Sequence, residues 1–201
     1  MREHVWLLPL NDLDDDARAI KLGEIAGLEL TKDQRRFVGD PLRMVLTGLE
    51  EDSRHPFAID ANGSAVGVLT LQSGAASLAG WADDDSAWLL RGFLIDRRSQ
   101  GRGLGTQAAL ASALAAAKLT AAMGGGQTGV VLSVNEENPA GRAAYRKAGF
   151  EDRGRYLGGD AGPQRTFYRG FGAGRQGVDP DGLVDGRTGT GTTSPEPVNY
   201  Y

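Results

Sequence analysis

The chain has no cysteine and only two histidines, His4 and His55. Without thiols there is no disulfide framework, no thiolate zinc site and no cysteine nucleophile, and two histidines are too few for an ordinary histidine-based metal centre. No metal is expected. No apolar run approaches the ~20 consecutive residues of a membrane span, and the apolar start Val5-Trp6-Leu7-Leu8 stops at Pro9, too short for the core of a signal peptide. The expected location is cytoplasmic, with no membrane partner. Positive charge is also in short supply: 22 Lys and Arg stand against 26 Asp and Glu, a net charge of -4, where a general binder of phosphate backbones needs a basic stripe. No nucleic-acid partner is expected.

What is present is an ordinary globular mix, 40% hydrophobic and 24% charged, in 201 residues, a length that suits one domain with an appendage. Glycine is the exception at 30 residues, well above the usual share of about 7%. It concentrates beyond Phe171, where GAGRQGVDPDGLVDGRTGTGTTSPEPVNYY holds almost nothing apolar to bury. The domain is therefore expected over 1-171 and a flexible Gly/Thr/Pro-rich tail over 172-201, with Tyr200 and Tyr201 at its end.

Within the domain, strand and helix patterns alternate. Val5 to Leu10 reads as a strand, followed by an acidic helix start at Asn11-Asp12. Thr31-Lys32-Asp33-Gln34 fits a capping box, and Asp40-Pro41 an N-cap followed by proline at the first helical position. Asn62-Gly63 between Phe57–Ala61 and Ala65–Leu71 is a strong hairpin signal, because both residues tolerate positive φ. The near-continuous apolar run Ala87 to Ile95 suits a central strand buried on both faces. Leu104 to Met123 has helical spacing and stops at Gly124-Gly125-Gly126, Val130 to Val134 is a second buried strand, and Asn138-Pro139 opens a helix ending at Gly149. Glu151 to Leu157 and Gln164 to Phe171 close the domain as two strands. The class is α+β, with antiparallel pairs at both ends and a strand-helix-strand-helix unit in the middle.

The chemistry concentrates in Ile95-Asp96-Arg97-Arg98-Ser99-Gln100-Gly101-Arg102-Gly103-Leu104-Gly105-Thr106, between a buried strand and a long helix. Glycines there let backbone N–H groups converge on an anion at a helix N-terminus. A P-loop NTPase is not supported, since Gly-x4-Gly-Lys-Ser/Thr is absent. Gly103-Leu104-Gly105-Thr106-Gln107-Ala108 satisfies a dinucleotide fingerprint, but polar Asp96 to Arg102 separate the strand from the first glycine, and Glu136 and Glu137 lie too far on to be the ribose acid. A glycine-rich turn without a ligand is the remaining alternative.

The spacing Gln-x-x-Gly-x-Gly at 100-105 resembles the pyrophosphate loop of the GCN5-related N-acetyltransferase (GNAT) family. Asn138, Tyr145, Gly149 and Phe150 stand at the spacing of that family's Asn-x-x-Ala-x-x-x-Tyr-x-x-x-Gly-Phe signature, with Gly141 in place of the usual Ala. The resemblance implies a mixed central sheet of about six to seven strands with a splayed central strand pair and about four helices. It also implies acetyl-CoA as co-substrate and no metal. Phe93 and Ile95 would offer backbone groups to the pantetheine arm, Gln100, Gly101, Arg102, Gly103, Leu104, Gly105 and Thr106 would form the pyrophosphate cradle, and Asn138 would touch the arm or simply cap its helix. Arg97 and Arg98 are either further phosphate contacts or solvated side chains. Tyr145 would be the general acid for the CoA thiolate. No general base is identifiable, since the central strand carries Arg91 as its one charged residue.

The segments Thr31 to Val38, His55 to Ile59 and Arg91 to Asp96 further resemble the branch of the family that acetylates spermine, spermidine and related diamines. That implies a small cationic amine as acceptor, which Asp83-Asp84-Asp85, Asp12 to Asp16 and Glu50-Glu51-Asp52 would suit electrostatically. Gly162-Pro163-Gln164, where that branch tends to place an acid, departs from the pattern. Acetylation of a protein N-terminus or lysine, and a CoA-binding module without turnover, are the alternatives. Sequence does not set the oligomeric state, and a homodimer stays open.

Overall fold

The computed structural model describes residues 3–158 and 162–172. From residue 173 on, the expected tail lies outside the described residues, Tyr200 and Tyr201 included. Seven strands form one sheet: β1 (Val5–Pro9), β2 (Arg54–Ala61), β3 (Ser64–Gln72), β4 (Trp88–Ile95), β5 (Gly129–Asn135), β6 (Glu151–Tyr156) and β7 (Gln164–Gly170), in the spatial order β1-β2-β3-β4-β5-β7-β6. Four helices of nine residues or more accompany it, α1 (Asp15–Ala26), α3 (Pro41–Leu49), α4 (Leu104–Met123) and α5 (Pro139–Lys147), with a six-residue α2 (Lys32–Phe37).

Local chemistry explains most boundaries. Asn62 and Gly63 adopt φ of 55° and 85°, the left-handed pair that a two-residue hairpin turn needs to match strand twist. Thr31 and Gln34 close a reciprocal capping box on α2, and Asp40 accepts the Arg43 N–H ahead of Pro41 at the start of α3. The helix read from Asn11-Asp12 begins later. Leu10–Asp12 form a 3-10 turn, and α1 starts at Asp15, capped by Asp14, whose carboxylate accepts the Ala17 N–H at 2.8 Å.

Helices cover both sheet faces. α4 and α5 close a core of Trp88, Leu90, Ile95, Leu104, Tyr145 and Phe167, where small Ala108, Ala109, Ala113 and Ala116 let α4 approach the sheet closely. α1 and α3 cover the other face at the β1–β3 end, around Ile25, Val45, Val68 and Leu94. A smaller cluster, Ala75, Ala76, Ala79, Ala87, Leu89 and Val131, covers that same face further along.

The middle of the sheet positions the site. β4 and β5 are parallel and pair only at Trp88↔Val130 and Leu89↔Val131. On its other side, β4 is bulged: Val68 faces Leu94 and Thr70 faces Arg91, so Gly92 and Phe93 together oppose Leu69. Gly92 has φ 58°, a conformation an ordinary L residue reaches only at a cost. The bulge bends β4 away from β5 beyond Leu89, so the β5-facing backbone groups there have no strand opposite them. Among the described residues, no helix is long and apolar enough to cross a membrane.

Candidate functional site

A cavity of about 710 Å³ opens where β4 and β5 part. Its walls come from Gly92 and Phe93 of β4, Ser133 and Asn135 of β5, and Met44 and Thr47 of α3, and it reaches Asn138 and Tyr145. It lies toward the carboxyl ends of the two parallel strands, a usual place for ligands in such sheets.

Tyr145 is 8% exposed and its ring packs between those of Phe93 and Phe150, each 5.8 Å away by centroid, with Phe167 at 6.2 Å. Burial pushes its phenol above the ordinary tyrosine value, so it is protonated at neutral pH. That state can give a proton and cannot accept one. Asn138 turns its Oδ1 onto the Gly141 N–H at 2.8 Å, capping α5 while still lining the cavity. Gly141 explains its own departure from the signature: a Cβ there would stand 2.7 Å from Asn138 Nδ2.

The glycine loop follows β4 directly. Asp96, 2% exposed, organises it: Oδ1 accepts from the Arg98 backbone N–H at 2.7 Å and from Arg98 Nε, while Oδ2 accepts from Arg98 Nη2 and the Glu29 N–H. The Arg98 guanidinium, helped by those backbone donors, holds the Asp96 carboxyl at about 2. Ile95 ends the strand, and its carbonyl accepts from Gln34 Nε2 at 2.8 Å and Gln100 Nε2 at 3.1 Å. Gln100 thus braces the strand end from within. Gly101 and Gly103 take φ of 74° and 79°, and no atom lies within 4 Å of where a Cβ would sit, so both border open space.

Gly103 is the N-cap of α4 and offers no side chain to the first-turn N–H groups. The donors of Leu104, Gly105 and Thr106 therefore point out of the helix beside open glycines, a geometry that fits a pyrophosphate. Leu104 itself is 1% exposed and anchors the turn in the core. Arg102 is ion-paired with Glu3, and Arg97 with Glu29. The arginine charge beside the loop, at Arg97, Arg98 and Arg102, is balanced by carboxylates.

Four charged residues of the cavity wall were not read from sequence as site residues: Asp40, Arg43, Arg54 and Arg91. In the sequence Asp40 shows only as a helix cap, while the signal for Arg91 is a charged residue inside an otherwise apolar strand. Among the described residues, no member of the acidic clusters lines the cavity. Asp14 and Asp15 serve α1, Asp83 and Asp84 fold their own loop, and Glu51 pairs with Arg54. An exposed ion pair, Arg36 to Glu137 at 3.1 Å, joins α2 to the turn before α5.

Residues 21–150 match the family model of the acetyltransferase (GNAT) family, and the chain belongs to that family. It is an N-acetyltransferase with acetyl-CoA as its co-substrate. Its sequence is 28% identical over 151 residues to an uncharacterized N-acetyltransferase, YbbJ, of Bacillus subtilis (strain 168), covering 73% of this chain and 89% of that protein. The fold is similar to that of AAC(6')-Ib in complex with ribostamycin and coenzyme A, with TM-score 0.63 and 19% identity over 90% of this chain and 100% of that one. It is similar also to spermidine N-acetyltransferase from Vibrio cholerae in complex with CoA and spermine, with TM-score 0.58 and 15% identity over 85% and 97% of the two chains.

Proposed function

We propose that the chain transfers the acetyl group of acetyl-CoA directly to the primary amine of a small acceptor bound in the β4–β5 cavity. The observation that carries this reading is the parting of β4 from β5 after Leu89 and Val131, next to an α4 N-terminus with no side-chain cap. The first-turn N–H groups of α4 with Gly101 and Gly103 hold the pyrophosphate. The backbone edge around Phe93 and the Ile95 N–H receives the pantetheine arm strand-fashion, the Ile95 carbonyl being held by Gln34 and Gln100. A donor N–H at that edge, beside the thioester carbonyl, acts as an oxyanion donor. Tyr145 gives its proton to the departing thiolate, a contribution of about 10² to 10⁴ in rate for a well-placed acid. Asp40, the one carboxylate among the described residues of the cavity wall, is the candidate to take the amine's proton, directly or through water.

The test is free-thiol release from acetyl-CoA across a panel of amines. Turnover with a small primary amine is expected, and turnover only with a protein amine would replace this reading by the protein-acetylating one. A polyamine acceptor is the second reading, supported by Asp40 in the wall and by the spermine-bound relative of the same fold. Three arginines in the same wall, Arg43, Arg54 and Arg91, weigh against a purely cationic acceptor.

A further inference from the structure

A polar strip crosses one face of the sheet. Arg54 of β2 faces Gln72 of β3, and Thr70, two residues back on β3, faces Arg91 of β4. Directly opposed residues on antiparallel strands project to the same side, as do residues two apart, so these four side chains share a face. On one side of the strip lies the apolar cluster under α1 and α3, and on the other the cluster containing Leu89 and Val131. The strip is the part of that face that neither cluster covers, and Arg54, Thr70 and Arg91 line the cavity.

The charges in the strip are poorly balanced. Arg91 donates from Nη1 to Gln72 Oε1 at 2.7 Å and forms no ion pair among the described residues. Arg54 is paired at 2.9 Å with Glu51, a residue more exposed than itself. Burial and then the nearby Arg54 charge pull the Arg91 guanidinium below the ordinary arginine value, with the Glu51 carboxylate acting the other way. Two like charges held together at partial burial destabilise the fold, and an anion placed between them reverses the sign of that interaction. A guanidinium keeps its charge and presents a fork that matches a carboxylate or phosphate.

We infer that the acceptor amine carries an anionic group, a carboxylate or a phosphate, held by Arg54 and Arg91 at the floor of the cavity; this rests on the acetyl-transfer reading above. Arg91 directly precedes the Gly92–Phe93 bulge and lines the same cavity as both, so its guanidinium and the open strand edge face one enclosure. An amino acid or aminoalkyl phosphate carries both the anion for that guanidinium and the amine for the thioester, and its chain length is what the amine series reads.

The experiment measures kcat and KM for acetyl-CoA with α-, β- and γ-amino acids and aminoalkyl phosphates, each beside its methyl ester or alcohol, and with spermidine. The anionic amines should be preferred by at least about tenfold, as expected for a charge-assisted contact. Arg91→Met should remove the preference through KM, and Arg91→Lys should restore part of it. Acetyl-CoA affinity by calorimetry and the melting temperature report whether Arg91→Met is folded and loaded; Arg54→Met is the second variant if it is not. Esters or spermidine turned over as well as the acids would overturn the inference. If no amine turns over, N-acetylglycine and N-acetyl-β-alanine are titrated into the CoA complex against N-acetylputrescine, and equal binding of all three overturns it. A chain that binds no acetyl-CoA overturns the transfer reading itself, whereas binding without anionic preference overturns this inference alone.

Discussion

Leu89 and Val131 are the last residues at which β4 and β5 run side by side, and the cavity opens from Leu89 onward. What separates the strands beyond that point is the bulge at Gly92. A Cβ on Gly92 would find ordinary contact, 3.6 Å from Met44 Sδ, so the space exists and the obstacle is the backbone at φ 58°. Gly92→Val must either hold a left-handed conformation at about 1–2 kcal/mol or flatten the strand toward β5. The expected outcome is a loss of about that stability in urea unfolding and a fall of at least about tenfold in kcat/KM for thiol release. A variant with wild-type kinetics would mean that the bulge does not maintain the opening.

Tyr145→Phe isolates the hydroxyl. The ring is held by Phe93, Phe150 and Phe167 and keeps that packing in the variant. Tyr145 Oη makes no hydrogen bond to another described residue, so stability should stay within about 0.5 kcal/mol and acetyl-CoA affinity should hold. A fall in kcat of at least about tenfold is expected, because the lost interaction is one made while the thiolate departs. Weakened affinity at unchanged kcat would make Tyr145 a binding residue instead.

The fold was largely legible because each element carries its own punctuation: Asn62-Gly63, the capping box at Thr31, and Gly124 after a helix of regular spacing. The candidate site is readable where it is local in sequence, and of the block from Asn138 to Phe150 the structure brings Asn138 and Tyr145 to the cavity. The rest of the cavity wall is not readable in this way. Arg54, Thr70 and Arg91 come together only through the register of three strands, and Asp40 belongs to the wall only because α3 packs over that register. Of the acidic runs, Asp14, Asp15, Asp83, Asp84 and Glu51 serve caps, turns and ion pairs, a use that composition alone does not distinguish from a free negative surface.

Gly103→Val tests the cradle. Gly103 stands at φ 79° with open space around its missing Cβ, so the substitution strains one exposed backbone position and leaves the core alone. A cost of about 1–2 kcal/mol in stability is expected, while the branched side chain stands over the α4 N-terminus and weakens acetyl-CoA binding by at least about tenfold in calorimetry. Unchanged affinity in the folded variant would remove this loop from the cofactor site.

Asp96 ties the loop to pH. Its carboxyl falls from the ordinary 3.8 to about 2 in the folded chain, chiefly through Arg98, which corresponds to about 2 kcal/mol of stability at neutral pH. Above pH 4 the carboxylate is ionised in both folded and unfolded states, and this contribution is complete. As pH falls from about 4 to about 2 the unfolded chain takes up a proton that the folded chain refuses, so the contribution is lost over that window. Asp96→Asn keeps the shape but presents an amide to Arg98, replacing charge-assisted bonds with a neutral carbonyl and an unmatched donor. The variant should be less stable than the wild type by about 2 kcal/mol in urea unfolding at pH 7 and pH 5, with the gap narrowing toward pH 2.5. Its acetyl-CoA affinity should drop with it, because the same carboxylate fixes the turn from Ile95 into the glycine loop. A gap independent of pH would assign the effect to lost shape and not to charge.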